Sequence, residues 1–346
     1  MHAADRLAVT DPAWVTFVAR RPEALPFHLP AWIETVADSY RLPASVLVVR
    51  DDAGQIAAGI PVVETRPPLR PRRWVSLPFT DYCPPLAVTP AAEARLGVAL
   101  DAARLAAGAA RAEVRAPMAG ALPFEHAGYR HVLNLDADPS AVFARFHRSQ
   151  VQRSIRRAEA SGLVIRTGEP DHDLLEDFHR LHLDTRRRLG VPIQPRRFFA
   201  LLRERVLGTG SGWIVTAELN GRAVAAALFL AANGTVVYKF GASESRAWNL
   251  RPNHLVFWHV IREACVAGYR RLDFGRTDAA TEGLRAFKRS WGADEETLIY
   301  HAFGTGADTV EPHAPSMAQR ALAGVIRRSP AWVCRWSGEL FYRFVA

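Results

Sequence analysis

The sequence predicts an α+β protein made of two tandem lobes, each a mixed, mostly antiparallel sheet flanked by helices. Three observations lead there. The second half alternates segments of helical and strand period in the order β-α-α-β-β-β-α-β-α-β. Two Asn-Gly pairs, Asn220-Gly221 and Asn233-Gly234, separate three strand-like runs and tolerate the positive φ angles of tight hairpin turns. The first half repeats nearly the same order in looser form, as a degenerate tandem duplication does.

The second half opens on a helix from about Ser140 to Ala160, where Val142, Phe143, Phe146, Ile155 and Ala158 form an interrupted apolar stripe and Ser161-Gly162 ends it. A short strand, Leu163 to Thr167, leads into a helix carrying Leu174, Phe178, Leu181, Thr185 and Leu189. After Pro195 a second helix carries Phe198, Phe199, Leu202 and Val206. The meander follows as Trp213 to Leu219, Arg222 to Ala231 and Thr235 to Ala242. A helix from Asn253 to Ala267 stops at Gly268, then come strand Arg271 to Phe274, a short helix near Thr281 to Ser290 and strand Thr297 to Phe303.

The first half gives a helix at Ala31 to Tyr40, strands Ser45 to Arg50 and Gln55 to Glu64, and a third strand at Trp74 to Phe79. Helix Ala91 to Ala107, strand Ala112 to Arg115, a short helix near Ala121 to Ala127 and strand His131 to Leu135 complete the set. The Pro/Arg-rich TRPPLRPRR, Thr65 to Arg73, reads as a long connection. A domain boundary is expected near Asp136 to Ser140, giving lobes over residues 1–138 and 139–310 and a basic amphipathic tail over 311–346.

With 346 residues, 49% of them hydrophobic, the chain can bury two cores of ordinary size. Its 44 Lys and Arg against 35 acidic residues give a net charge of +9, which favours a polyanionic partner such as RNA, a phosphorylated precursor or an anionic membrane. A drift of GC-rich coding towards arginine would give the same excess. Cys83, Cys265 and Cys334 are too few and too far apart for a disulfide framework or a zinc site, and neither a metal nor a cofactor is expected. No signal-peptide pattern and no bilayer-length apolar run occurs, so a cytoplasmic location is expected.

Four motifs narrow the reading: RSIRRAEASG at Arg153 to Gly162, LHLDTRRRLGVP at Leu181 to Pro192, RPNHLVFWHVIREACVAGYRRLDFGRT at Arg251 to Thr277, and GLRAFKRSWGA at Gly283 to Ala293. In this order and spacing, the chain from about Arg148 to His301 resembles the FemAB-type, or peptidoglycan-bridge aminoacyltransferase-like, branch of the GNAT acyltransferase superfamily. The resemblance implies two GNAT-like lobes and transfer of an aminoacyl group from aminoacyl-tRNA to an amine. It also implies that the lysine of the FK motif, Lys288, contacts the acyl-donor end.

Lys288 earns the catalytic assignment on chemistry as well. Acyl transfer to an amine passes through a tetrahedral oxyanion, which a fixed ammonium in a dry cleft stabilises by about 3 kcal/mol or more. The competing reading is a solvated lysine on a short helix whose Phe287 and Trp291 pack inward. Candidate substrate-binding residues are Asp273, Arg276, Tyr238, Arg285 and Trp291; Arg276 suits a carboxylate or phosphate, unless an Asp-Arg pair merely shapes the turn. By element alone His182, His254 and Tyr238 are candidates for a general base, and the attacking amine can instead lose its proton to water or substrate.

Members that use acetyl-CoA usually carry a glycine-rich loop that cradles pyrophosphate on backbone N–H groups. The corresponding SESRAWNLRPN, Ser243 to Asn253, has no glycine, which lowers the CoA reading and raises aminoacyl-tRNA. Arg148, Arg153, Arg156, Arg157 and Arg187 are candidates for tRNA phosphates, or else a solvated basic face. Bridge-forming members carry a lysine soon after an early tryptophan; after Trp32 stand Ile33, Glu34, Thr35 and Val36, so a small-molecule or peptide amine is the expected acceptor. The tail sets Val325, Ile326, Trp332, Val333, Trp336, Leu340, Phe341 and Phe344 among Arg327, Arg328, Arg335 and Arg343, a pattern suited either to its own core or to peripheral membrane contact. Transfer from acyl-CoA or a carrier-protein thioester, and a non-catalytic RNA-binding or membrane-associated module, are the alternatives.

Overall fold

A computed structural model of the chain describes residues 4–66, 71–168, 172–304, 311–312 and 317–342. Pro67 to Arg70 of the Pro/Arg-rich connection, and Ser316, Arg343 and Phe344 of the tail, lie outside the described residues. Two compact units form: one from residues 1–128, 297–314 and 341–346, the other from 129–296 and 315–340.

In the first unit, strands Asp5–Leu7, Ala44–Arg50, Ile56–Thr65 and Arg73–Val75 pair antiparallel in that order. Arg111–Val114 joins Arg73–Val75 in parallel, and strand Asp294–Gly304 then pairs antiparallel with Arg111–Val114. Helix Pro90–Ala106, capped by Thr89 whose hydroxyl accepts the Ala92 N–H, lays Leu96 and Leu100 on a core of Leu47, Ile60, Trp74 and Val114.

The second unit repeats the pattern. Val164–Thr167, Gly212–Leu219, Arg222–Ala232 and Thr235–Ser243 pair antiparallel, Arg271–Thr277 joins Thr235–Ser243 in parallel, and Leu122–Asn134 closes on it antiparallel. Both hairpins turn on the Asn-Gly pairs, with Asn220 and Asn233 themselves at φ 51° and 48°. Helix Pro252–Val266 buries Val256, Phe257, Val260 and Ile261 on one sheet face against Val215, Phe229, Val236 and Leu272. Helix His172–Leu189 packs on the strands Arg222–Ala232 and Thr235–Ser243.

The fold class matches the sequence expectation, and so does the element order apart from strand Asp5–Leu7 and helix Pro12–Ala19, which were not expected, and two corrections. The expected helix near Ala121 to Ala127 is part of the strand Leu122–Asn134, where Glu125 and His126 pair with Glu311 and Pro312, so long-range pairing outweighs a weak local helix preference. The expected helix over Ser140 to Ala160 is broken into helix Pro139–Ala144, a π-helical turn Arg148–Gln152 and helix Arg153–Glu159. Each unit also takes its final strand from the other half of the sequence. Leu122–Asn134 ends the first half yet completes the second sheet through residues 129–134, and Asp294–Gly304 ends the second half yet completes the first through residues 301–304.

Candidate active site

The parallel strands of the second unit separate. Thr235, Val236 and Val237 pair with Arg271, Leu272 and Asp273, and there the ladder stops, although the strands run on to Ser243 and Thr277. A bulge on each strand accounts for the divergence. Tyr238 lies opposite Phe229 and Phe240 opposite Leu228, leaving Lys239 as the extra residue. On the other strand the register against Leu122–Asn134 shifts between Asp273 and Arg276. Bulges bend strands, and main-chain groups released from a ladder need other partners, so a cleft between diverging strands can hold an extended acyl group.

The second bulge is built by DFG in the sequence. Gly275 takes φ 70°, conformational space that favours glycine, and Asp273 Oδ1 accepts its N–H at 2.7 Å. Asp273, 2% exposed, also accepts Arg130 Nε at 2.6 Å. Lys288, on helix Glu282–Ser290, is 4% exposed and donates to the carbonyls of Gly275 at 2.8 Å and Arg276 at 3.1 Å. Its ammonium is thereby fixed on the bulge where the strands part. The Arg276 guanidinium pairs with Asp278 at 3.0 Å.

A histidine that sequence reasoning missed belongs to this group. His131 is fully buried and its Nε2 lies 2.9 Å from Glu295 Oε2. Burial, and then the Lys288 charge, hold its imidazole below the ordinary range. Donation from Nε2 to the carboxylate leaves Nδ1 as the bare nitrogen, and Nδ1 has no hydrogen-bond partner among the described residues. Glu295 is gripped by Arg285 through Nη2 at 2.6 Å and Nε at 2.9 Å, which pushes its carboxyl down to about 2. Arg285 also covers the Tyr129 ring at 3.8 Å. Arg130, His131 and Glu295 carry no motif; they stand at ordinary strand positions and meet only through long-range pairing.

Of the remaining candidates, Trp291 is fully buried in the core with its Nε1 lacking a partner among the described residues, stacked on His254 at 5.6 Å. Tyr238 packs between Phe229 and Phe257, and burial pushes its hydroxyl up to about 12. Burial and then Arg251 push His254 down to about 4; burial and then Arg186 push His182 down to about 3, with its Nε2 on Gln194 Oε1 at 2.9 Å. Groups so far from neutrality make poor bases at physiological pH.

Arg148, Arg153 and Arg156 line one open cleft of about 510 Å³ with Ser149 and Gln152, on the π-helical turn and the helix after it. Arg157 is exposed on that helix but does not line the cleft, and Arg187 stands in the last turn of His172–Leu189. The glycine-free loop forms a 3-10 turn, Ser245–Leu250, whose Trp248 Nε1 and Asn253 Nδ2 both donate to Ser243 Oγ, at 3.0 and 3.3 Å. Pro252 has no N–H, and those of His254 and Leu255 are turned back to the Arg251 carbonyl at 3.0 and 3.4 Å. Among the described residues no cluster of His, Cys, Asp and Glu could hold a metal ion.

A parallel strand pair inside an antiparallel meander recurs in both units, diverging in the second, and this fold is like that of the FemAB-like branch of the GNAT superfamily. Residues 145–289 match the family model of an acetyltransferase (GNAT) domain. The fold is similar to that of FemX, with 16% identity over 87% of this chain and 98% of that one and a TM-score of 0.70. It is similar also to the C-terminal domain of an assigned lysylphosphatidylglycerol synthetase from Agrobacterium fabrum (15% identity, 85% and 92% covered, TM-score 0.57). L-PGS from Bacillus licheniformis gives 13% identity, 93% and 97% covered and a TM-score of 0.55. A comparison with curated proteins finds no match by sequence. Together the family model and these folds support an acyltransferase of the GNAT class.

Proposed function

We propose that the protein is an aminoacyltransferase that moves an aminoacyl group from aminoacyl-tRNA to the amine of a small-molecule or peptide acceptor, forming an amide. In this reading the acyl carbonyl enters where the two strands part. Lys288 stabilises the oxyanion directly, one ammonium hydrogen turning from the bulge to the developing charge as the amine attacks. Asp273 and Arg130 keep the bulge, and so the lysine, in place. Collapse of the tetrahedral intermediate breaks the ester and releases the tRNA hydroxyl, while the amine's proton passes to water or to the substrate.

The observation that carries the choice of donor is the filled loop Ser243 to Asn253. Pro252 offers no N–H and those of His254 and Leu255 turn to the Arg251 carbonyl, which leaves Asn253 alone in the first helical turn and shrinks the pyrophosphate cradle that CoA needs. The cleft lined by Arg148, Arg153 and Arg156 supplies cations suited to an acceptor-arm backbone instead. Similarity to FemX and to a protein named for lysylphosphatidylglycerol agrees with an aminoacyl donor.

A donor screen tests this: wild type and Lys288→Met, charged tRNAs or acyl-CoAs, and a mixed amine pool, with products read by mass. Product is expected with charged tRNA, abolished by ribonuclease and reduced about 100-fold or more in the variant. Turnover of acyl-CoA with indifference to tRNA would replace this reading by the thioester one. No product from any donor, with RNA or vesicle binding intact in Lys288→Met, would favour a non-catalytic module.

A further inference from the structure

The C-terminal helices Met317–Arg328 and Ala331–Phe341 have one face that is fully committed. Ile326 and Cys334 are completely buried; Arg327 Nη2 donates to the Leu189 carbonyl at 3.1 Å, and Glu339 accepts the Arg196 N–H at 2.8 Å. Gly338 seats the second helix so closely that a Cβ there would lie 1.9 Å from the Ile193 carbonyl oxygen. Contact this tight fixes the rotation of the helix about its own axis. What it turns to solvent is therefore set by packing.

That outer face is aromatic. Trp332, Trp336 and Leu340 are 62%, 65% and 44% exposed and recur every fourth residue, while Val325 on the preceding helix is 55% exposed. A single exposed apolar residue is ordinary, but two tryptophans one turn apart and in line with a leucine form a stripe. On the two helices themselves the charge is mainly positive, while Glu176 and Asp184 line the neighbouring groove with Arg335. Met317–Arg328 carries Arg320, Arg327 and Arg328 and no acid; Ala331–Phe341 carries Arg335, and its one acid, Glu339, is held by the Arg196 main chain.

We infer that this face rests on an anionic lipid bilayer, with the Trp332 and Trp336 indoles in the head-group region and the flanking arginines among lipid phosphates. Charge decides between the occupants. A second copy meeting this face about a two-fold axis would set arginines against arginines, whereas an anionic surface neutralises them. No described helix is long and apolar enough to cross a membrane, so the contact is peripheral.

Co-sedimentation of the full chain with vesicles of phosphatidylcholine, alone or mixed with phosphatidylserine, tests the inference. Partitioning is expected to be about ten-fold or more stronger on the anionic vesicles, to fall with salt, and to drop about ten-fold or more in Trp332→Ala/Trp336→Ala. Lipids brominated on their acyl chains should quench tryptophan emission in the wild type and much less in the double variant, whose thermal melt should stay cooperative. Equal partitioning on both vesicles, undiminished binding by the double variant, or a wild-type dimer that the double variant makes monomeric would each overturn it. Transfer to a water-soluble amine is read separately, so failure here leaves the proposed reaction standing.

Discussion

At position 288 a side chain that is ordinarily solvated is 4% exposed and hydrogen-bonded to two main-chain carbonyls. Such a lysine supports structure and carries charge together, and the two can be separated. Lys288→Met fills the same space but removes both hydrogen bonds to the bulge carbonyls, so it is expected to cost about 2 kcal/mol of stability, read from urea midpoints, apart from its loss of turnover. The buried histidines set a pH dependence. His254 and His182 titrate near 4 and 3 when folded and near 6.5 when unfolded. Between those values the unfolded chain binds more protons, so the stabilisation from the neutral rings is complete above about pH 6.5 and is lost as pH falls towards 4. His254→Phe keeps a ring against Phe287 and Trp291, and urea midpoints measured across that window should show a shallower slope. Lys288 was legible because its motif is local. Arg130, His131 and Glu295 were not, since Arg130 meets Asp273 across 143 residues and His131 meets Glu295 across 164.

Among the elements, the strands of the second unit were readable from alternation and the Asn-Gly turns, but the bulges that divide them were not. A bulge is a difference in register between two strands, and no single segment encodes it. Gly275 nonetheless carries a local signal, and Gly275→Ala is expected to cost about 1–2 kcal/mol from its positive φ. In that variant turnover should fall by more than the stability loss explains, since the Lys288 carbonyl partners shift; full turnover in folded protein would detach the bulge from catalysis. The expected long helix over Ser140 to Ala160 is interrupted where His147 Nδ1 accepts the Gln150 N–H at 3.3 Å, and the π-helical turn that follows presents Arg148 beside Arg153 and Arg156. Replacing these three by alanine should reduce the slope of log affinity for tRNA against log salt by about 3, measured by filter binding. An unchanged slope would return them to a solvated face.

For the whole molecule, the duplication was visible in element order, whereas the exchange of final strands was not. Segments 122–134 and 294–304 look like ordinary last strands of their own halves, and only pairing shows which sheet each completes. The exchange makes a prediction about fragments. Residues 1–136 and 137–346 expressed apart should be insoluble, each half's sheet lacking its last strand, and expressed together they should co-purify; independent folding of either would contradict it. There is also a consequence for descent. A recombination that replaces the first half as a block brings a foreign Arg130 and His131 to a native Asp273, Glu295 and Lys288, so the partners of one candidate site would come from different parents. Chimaeras joined just before Leu122 inherit the site intact, and those joined just after Asn134 do not. The place where such genes can be cut and rejoined is thus set by a strand pairing, well away from the point where the two halves of the sequence meet.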